Sequence, residues 1–233
     1  MVLKISKDMF EPRTKTKDSD TVFTKAEQNY ICDLAEKEAL MKSDARPLGI
    51  VLLFNLGLRI GELCGLKWKD LETSNGIHYI HVQREVVSDV SNSGKARGYK
   101  ILEHCKTEAG DRRLLLNNKA INLFKAIRSI NELNYIPTED DDLIFLRRRK
   151  GILMMCTVRC FDPRLRRYCR EAGMKVIKSP HDIRRTVLST LYFAGMPLKK
   201  IQEFAGHSTL QQTMDYIRIS KDETDMLKYL NTL

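Results

Sequence analysis

Long apolar runs are missing from this sequence of 233 residues. No stretch approaches the roughly 20 consecutive apolar residues that a membrane-spanning helix needs. The N-terminal stretch MVLKISKDMFEPRTKTK also lacks the apolar region of a secretory signal. We therefore expect no membrane association and a cytoplasmic location.

Paired cysteine motifs are missing as well. No two of the six cysteines form a CxxC pair, and most fall in apolar patterns of helical spacing. Cys156 and Cys160 would share a helix face, but no histidine lies nearby to complete a zinc tetrad. We therefore expect reduced, packed thiols and no structural metal.

Acidic residues are too few to balance the basic ones. Lys and Arg number 40 against 30 Asp and Glu, which gives a formal net charge of +10. This excess favours a polyanionic partner, with nucleic acid as the first candidate. Repeats, heptads and low-complexity segments are also missing, and the 42% hydrophobic content supports a globular chain with a sizeable core.

The N-terminal half changes from a polar start to helices and then to strands. Residues 1–20 carry no sustained apolar period and are predicted to be a linker or arm. A capping-box pattern at Thr24 predicts a helix over 23–39, and the continuously apolar segment 45–68 is expected to form the buried core. β-rich patterns then predict three antiparallel strands, over 76–87, 98–105 and 112–117.

The C-terminal half is predicted to be helical. Helical periodicity resumes over 118–134, and capping patterns mark further helix starts at Ser179, Pro197 and Thr209. The helix that starts at Thr209 carries Tyr216, and residues 221–233 form a last amphipathic segment. These elements predict an α+β fold, mainly α, with a small three-stranded antiparallel sheet.

Two pairs of residues at i, i+3 spacing are candidates for phosphate chemistry. His181 and Arg184 share one helix face near a helix start, where oriented N–H groups favour an anion. Arg59 lies three residues before Glu62 in an apolar segment, so the acid would hold a planar guanidinium fork in a pocket. Each pair also has an ordinary interpretation, as an exposed pair or as an ion pair at a helix edge.

Lys106 and Tyr216 are the remaining candidates for chemistry. Lys106 falls in a predicted turn, where a lysine is usually exposed, yet its long side chain could also insert into a DNA groove or deliver a proton. Tyr216 lies nine residues after His207, and this spacing alone favours a core aromatic. A phenol with a pKa of about 10 becomes a nucleophile only where a base or positive charge stabilises the phenolate.

A basic stretch follows the acidic loop 138–142. Such a run is either a solvated face or a phosphate-facing surface. Its candidate DNA-binding residues are Arg147, Arg148, Arg149, Lys150, Arg164 and Arg167.

Five blocks of the sequence together resemble the tyrosine recombinases, in particular the integrases of phages and conjugative transposons. These blocks are GLRIGELCGLKWKDL, HCKTEAGDRRLLL, SPHDIRRT, AGHS and MDYIRIS, in the order and approximate spacing of that family. The resemblance covers residues 21–233, including the tail 221–233, and implies the fold of DNA breaking-rejoining enzymes.

The resemblance implies a role for each matching residue. Arg59 and Arg184 would clamp the scissile phosphate, and Lys106 would protonate the departing 5′ oxygen. His181 would be a general acid/base, and His207 would donate a hydrogen bond to the phosphate. Glu62 would support these side chains. Tyr216 would be the nucleophile that forms a 3′-phosphotyrosyl bond.

The same resemblance implies how such an enzyme works as a whole. It would integrate or excise a mobile element in a bacterial, nucleoid-associated setting, without metal, ATP or another cofactor. Complete strand exchange would need double-stranded DNA and other protomers, as a tetrameric synapse. The N-terminal helical domain with which such enzymes clasp the duplex has no counterpart in this sequence, so we do not expect strong sequence-specific binding from these residues alone.

Two other functions are also compatible with part of the sequence. A non-enzymatic helix-turn-helix regulator would account for the segment PLKKIQEFAGHSTLQQTMDYI. A regulator would not explain why the sequence blocks that contain the candidate arginines, lysine and histidines occur together in the order and spacing of the recombinase family. A type IB topoisomerase would share the cleavage chemistry but relax supercoils.

Overall fold

The computed structural model of the chain describes residues 21–90, 96–103 and 108–217. The helices in this part of the chain are α1 (Lys25–Lys42), α2 (Arg46–Leu56), α3 (Ile60–Gly65), α4 (Asn118–Leu133), α5 (Val158–Glu171), α6 (Pro180–Phe193), α7 (Leu198–Ala205) and α8 (Leu210–Tyr216). The strands are β1 (Leu71–Ser74), β2 (Ile77–Val82), β3 (Glu85–Val90), β4 (Ala96–Leu102), β5 (Arg112–Leu115), β6 (Leu146–Arg149) and β7 (Ile152–Met155). The predicted linker 1–20, Lys106 and the tail 221–233 lie outside the described residues.

Helix α2 forms the centre of the fold. Its residues Ile50, Val51 and Leu52 are fully buried, and the helix contacts α1, α4, α5 and α6. Burial around the whole helix matches the continuously apolar sequence from which the core was predicted. The helix ends at Gly57, whose φ of 58° lies in the left-handed region that favours glycine. This turn leads directly into α3, which carries the first site residues.

The predicted helix starts are confirmed, and the caps at Thr24 and Thr209 are built as the sequence indicates. The Thr24 hydroxyl accepts from the Glu27 backbone N–H, and the Glu27 carboxylate accepts from the Thr24 N–H. The Thr209 hydroxyl accepts from the backbone N–H of Gln212 at the start of α8. Helix α1 continues to Lys42, three residues beyond its predicted end.

The predicted fold class is confirmed, but the three predicted strands do not form one sheet. The small three-stranded antiparallel sheet has the order β1-β2-β5, whereas β3 pairs with β4 and β6 pairs with β7 in separate hairpins. The first predicted strand is interrupted between β2 and β3, where Arg84 is buried. Its guanidinium donates to both carboxylate oxygens of Asp70, at 2.8 and 2.9 Å. Because this break lies between two β-rich runs, their composition gave no sign of it.

Strands β1, β6 and β7 were not predicted at all. Strand β6 consists of Leu146–Arg149, so the stretch interpreted only as a basic run is half of a hairpin. Among the described residues, no helix has the length and apolar content needed to cross a membrane. The described cysteines are free thiols, four of them buried and Cys160 half-buried, as predicted.

Candidate active site

Glu62 is the buried centre of the site. It lies in the first turn of α3, and its carboxylate accepts from the backbone N–H of Arg59 at 2.8 Å and from the Arg59 guanidinium at 2.7 Å. The Glu62 side chain is 3% exposed, whereas the Arg59 side chain is 31% exposed. The acid therefore anchors one edge of the arginine and leaves other N–H groups directed towards solvent.

Arg112, which was not predicted as a site residue, holds the other side of Glu62. Its two Nη atoms donate to Glu62 Oε1 at 3.1 Å and Oε2 at 3.0 Å, and its Nε donates to the carbonyl of Phe204 at 2.8 Å. Burial raises the pKa of Glu62, but Arg112, Arg184 and Arg59 outweigh this and hold it at about 2. In β5 the structure buries Arg112 and Leu114 on one face, but the sequence Arg-Arg-Leu-Leu has no apolar alternation that would have shown which face is buried.

Arg184 projects from α6 into the same pocket and is 1% exposed. Its Nη1 donates to the carbonyl of Gly57 at 2.7 Å and lies 3.9 Å from Glu62 Oε2. Its Nη2 donates to the carbonyl of Ala205 and lies 3.0 Å from His207 Nε2. Burial lowers the pKa of Arg184 to about 10, so this guanidinium stays charged at neutral pH.

His207 lies in the turn between α7 and α8 and is 1% exposed. Its Nδ1 lies 3.1 Å from the hydroxyl of Thr213. Burial and then the charges of Arg184, Arg59 and Arg112 lower the pKa of His207 to about 3, so the ring is neutral at pH 7. The preceding Gly206 has a φ of 67°, and an added Cβ would lie 2.8 Å from the carbonyl oxygen of Ala109. Only glycine therefore fits before His207.

Tyr216 ends α8 between the two histidines. Its ring centroid lies 4.8 Å from that of His181 and 4.8 Å from that of His207. Its hydroxyl is 3.4 Å from His181 Nδ1, and the Arg184 guanidinium carbon is 5.6 Å from its ring centroid. Desolvation and then the charge of Arg185 lower the pKa of His181, which favours a neutral ring able to accept a proton.

The structure thus brings six of the predicted residues together: Arg59, Glu62, His181, Arg184, His207 and Tyr216. They come from α3, α6, the α7–α8 turn and α8. Lys106 lies outside the described residues. Gly110, four residues further along the chain, lies at this cluster, because its carbonyl accepts from Arg112 Nη1 at 3.0 Å.

The six predicted DNA-binding residues lie elsewhere on the described surface. Arg147, Arg148 and Arg149 belong to β6, and Lys150 follows in its turn. Two of the six, Arg164 and Arg167, lie on α5.

The α5 arginines pair with acidic residues of the same protein. Arg164 is 14% exposed and donates to Asp44 at 2.8 Å and to Glu38 at 3.4 Å. Arg167 also pairs with Glu38, as well as with Glu171 at 3.1 Å. These contacts use the Arg164 guanidinium in packing α5 against α1, and a DNA-facing role for Arg164 and Arg167 stays a prediction.

The fold and the site together define a class of protein in which a tyrosine, two histidines and two arginines converge on one pocket. A sequence profile of the phage integrase family matches residues 21–223. The chain therefore belongs to the phage integrase family.

Comparisons with individual proteins agree with this membership. The chain is 28% identical over 171 residues to tyrosine recombinase XerA of Thermococcus kodakarensis, which covers 73% of this chain and 50% of that protein. It is similar in fold to the Tn1549 transposon integrase in complex with transposon right end DNA, with a TM-score of 0.72, 22% identity, and coverage of 96% of this chain and 69% of that one. The XerH site-specific recombinase bound to palindromic difH substrate gives a TM-score of 0.65 at 22% identity, over 91% of this chain and 53% of that one.

The chain spans about half the length of the curated relatives it matches. Those relatives are named as recombinases, which favours the recombinase interpretation over the regulator and the topoisomerase.

Proposed function

We propose that this chain is the catalytic domain of a site-specific tyrosine recombinase that cleaves and rejoins double-stranded DNA through Tyr216. The observation that carries the proposal is the position of the Tyr216 hydroxyl, 3.4 Å from His181 Nδ1 and beside the buried Arg184. A base next to a phenol and a fixed positive charge are what a phenolate nucleophile requires.

In this mechanism Tyr216 Oη attacks the scissile phosphorus while His181 accepts the phenolic proton. A 3′-phosphotyrosyl bond forms as the bond to the 5′ oxygen breaks, and Lys106 supplies the proton to that oxygen. Arg59 and Arg184 bind the non-bridging oxygens, with His207 as a further donor. Attack by the 5′ hydroxyl of a partner strand reverses these steps and joins a new pair of ends.

The charge of the pocket supports phosphate as its ligand. Glu62 neutralises only part of the charge of Arg59, Arg112 and Arg184, so the pocket keeps a net positive charge. The same positive charges stabilise the negative charge of the transition state, as a metal ion does in other phosphoryl-transfer enzymes. We therefore propose that cleavage needs no cofactor and survives EDTA. Loss of cleavage in EDTA that Mg²⁺ restores would contradict this part of the proposal.

We also propose that strand exchange takes place between protomers assembled on two DNA sites, as a tetramer, in the bacterial cytoplasm close to the nucleoid. Arg147, Arg148, Arg149 and Lys150 are proposed to contact the DNA backbone. The direction of the reaction, integration or excision of a mobile element, depends on sites and partners beyond this chain.

Tyr216→Phe is the test of the nucleophile. The variant keeps the ring between the two histidines and removes only the attacking oxygen. We expect normal folding and DNA binding with no covalent adduct on a nicked suicide substrate, as seen on a denaturing gel. Tyr192→Phe, a tyrosine packed on the same helical cluster, is the matched control and should form the adduct. An adduct that persists in Tyr216→Phe would assign the nucleophile elsewhere.

A further inference from the structure

The N–H groups of Arg184 are unevenly used. Its Nη1 donates to the carbonyl of Gly57, and its Nη2 faces two acceptors, the carbonyl of Ala205 and Nε2 of His207. Its Nε is buried and has no hydrogen-bond partner among the residues that the structure describes. A buried guanidinium N–H without a partner is costly, which indicates a ligand position next to Nε.

The planar guanidinium offers anions a side-on fork, made by the Nε–H and the neighbouring Nη2–H. In this structure the Nε half of the fork is free, while both hydrogens of Nη2 point at acceptors of the protein. A phosphate oxygen pair can therefore engage the whole fork only if Nη2 leaves one of these acceptors. The carbonyl of Ala205 cannot change its role, because a carbonyl oxygen only accepts.

His207 can change its role, because a neutral imidazole has two tautomers. Arg184 is always a donor, so the 3.0 Å contact requires a lone pair on His207 Nε2 and places the proton on Nδ1. The Nδ1–H then donates to the hydroxyl of Thr213 at 3.1 Å. The depressed pKa of His207, about 3, agrees with a neutral ring that holds a single proton.

Thr213 is fully buried in α8 and is the group that can respond to the tautomer. A hydroxyl both accepts and donates. In the structure it accepts from His207 Nδ1–H and directs its own proton to the carbonyl of Thr209 at 3.4 Å. This second contact is long, so the hydroxyl proton can turn towards Nδ1 at little cost.

We propose that His207 changes tautomer when phosphate binds, that this change frees the Arg184 fork, and that the Thr213 hydroxyl serves either tautomer. In the DNA-free protein Thr213 accepts, His207 carries its proton on Nδ1, and Nε2 retains Arg184 Nη2. When Thr213 donates instead, the proton lies on Nε2. His207 and Arg184 Nη2 are then two donors that one phosphate oxygen can accept together.

The tautomer part of this proposal depends only on the contacts of the DNA-free protein, whereas its phosphate part rests on the proposed function. The two parts are therefore tested separately. The first measurement is the protonation of the His207 ring nitrogens by long-range ¹⁵N–¹H NMR at neutral pH, assigned by the signals that His207→Gln removes. Wild type and Thr213→Ser should both show a proton on Nδ1 and none on Nε2.

Thr213→Val is the decisive variant, because it keeps the shape of the side chain and removes the hydroxyl. The Nδ1–H tautomer then loses its acceptor and the Nε2–H tautomer loses the donor to Nδ1, so the hydroxyl favours neither tautomer. Because Arg184 Nη2 still donates to Nε2, the DNA-free variant should keep its proton on Nδ1. If Thr213→Val does not fold, Thr213→Ala removes the same hydroxyl and is interpreted in the same way. A proton on Nε2 in the folded, DNA-free variant would show that Arg184 does not hold the Nε2 lone pair, and overturns the proposal.

The second measurement uses the Tyr216→Phe protein on an uncleaved duplex substrate. The His207 proton should move from Nδ1 to Nε2 when DNA binds, and the switch should be retained in Thr213→Ser. A His207 ring that keeps its proton on Nδ1 in the DNA complex contradicts the release of Arg184. Failure of the proposed function itself would appear differently, as a wild-type protein that forms no covalent adduct.

Discussion

Glu62 is held by three arginines, and its removal should affect the whole pocket. Glu62→Gln keeps the size of the side chain but leaves Arg112 and Arg184 buried without a counter-charge. Breaking a buried ion pair in this way costs about 3–5 kcal/mol, so we expect a loss of that size in the free energy of unfolding, measured with urea. Glu36→Gln removes an exposed acid that lies 3.7 Å from Lys119, and should change stability by less than about 1 kcal/mol.

The same prediction has a pH dependence. The pKa of Glu62 is about 2 in the folded protein, below its ordinary value of 4.5. As the pH falls, Glu62 therefore takes up a proton at a lower pH in the folded state than in the unfolded state. The stability from this group is therefore present above pH 4.5 and is lost as the pH falls towards 2. Glu62→Gln should lose less stability than wild type over this window. Equal slopes for both proteins would show that Glu62 is not held in its charged form.

Lys106 is predicted to act as the general acid for the leaving 5′ oxygen. A 5′ alkoxide is a poor leaving group and needs a proton, whereas a bridging 5′ thiolate leaves without one. Lys106→Ala should therefore cleave ordinary DNA about two to four orders of magnitude more slowly, yet cleave a 5′-bridging phosphorothiolate nearly as fast as wild type. If both substrates slow equally, Lys106 only grips the phosphate, and the acid is to be sought at His181.

At the scale of single elements, helices were easier to predict than strands. The caps at Thr24 and Thr209 are local, because each side chain bonds a backbone group three residues away, so the sequence pattern is sufficient. The end of β2 depends on a buried partner 14 residues earlier in the chain, since Arg84 pairs with Asp70. The hydrophobic pattern along the chain gives no information about such a contact. The separate β3–β4 hairpin was therefore not predicted.

Helix α3 lies so close to strand β3 that its glycines are part of the packing. A Cβ on Gly61 would lie 2.8 Å from the carbonyl oxygen of Val86, a backbone atom that cannot move aside cheaply. Helix propensity alone predicts that Gly61→Ala stabilises by about 1 kcal/mol. We expect the opposite, a loss of about 1–3 kcal/mol in the free energy of unfolding, because the helix is pushed from the strand.

The control for Gly61→Ala is Asn122→Ala at an exposed position of α4. This change also places alanine in a helix but adds no Cβ against a neighbouring strand, and should leave stability unchanged or slightly raised. Because α3 carries Glu62 and begins directly after Arg59, Gly61→Ala should also slow formation of the covalent adduct. If Gly61→Ala and Asn122→Ala have the same free energy of unfolding, strand β3 moves away to make room for the added Cβ, and the prediction is wrong.

At the scale of the whole molecule, the site joins segments that are far apart in sequence. Arg59 and Arg184 meet because α2 packs against α6 in the core, and no spacing along the chain reports that contact. From the residues alone, core packing remained the favoured interpretation of Tyr216. Only the resemblance of five blocks in register pointed to these side chains as one site. That resemblance missed Arg112, whose role follows from the pairing of β5 with β2 and the burial this gives its side chain.

The tail after Tyr216 is predicted to act between protomers. It lies outside the described residues, but its sequence carries an apolar stripe too large to be left in water: Ile219, Met226, Leu227, Leu230 and Leu233. We predict that this stripe docks on a neighbouring protomer in assembled DNA complexes. The alternative is a tail that folds back on its own protomer.

Deletion from Lys221 onward separates these two arrangements. If the tail docks on a neighbour, the truncated monomer should unfold at the same urea concentration as the full chain, because no contact within the protomer is lost. It should also fail to form multimers on two-site DNA, as measured by native gel electrophoresis. Leu227→Glu should reproduce this result in the full-length chain, whereas Lys228→Glu, one residue away, should assemble normally if the apolar stripe and not the net charge drives docking. If the truncated monomer is unfolded but the truncated protein still forms multimers on two-site DNA, the tail packs in cis, on its own protomer.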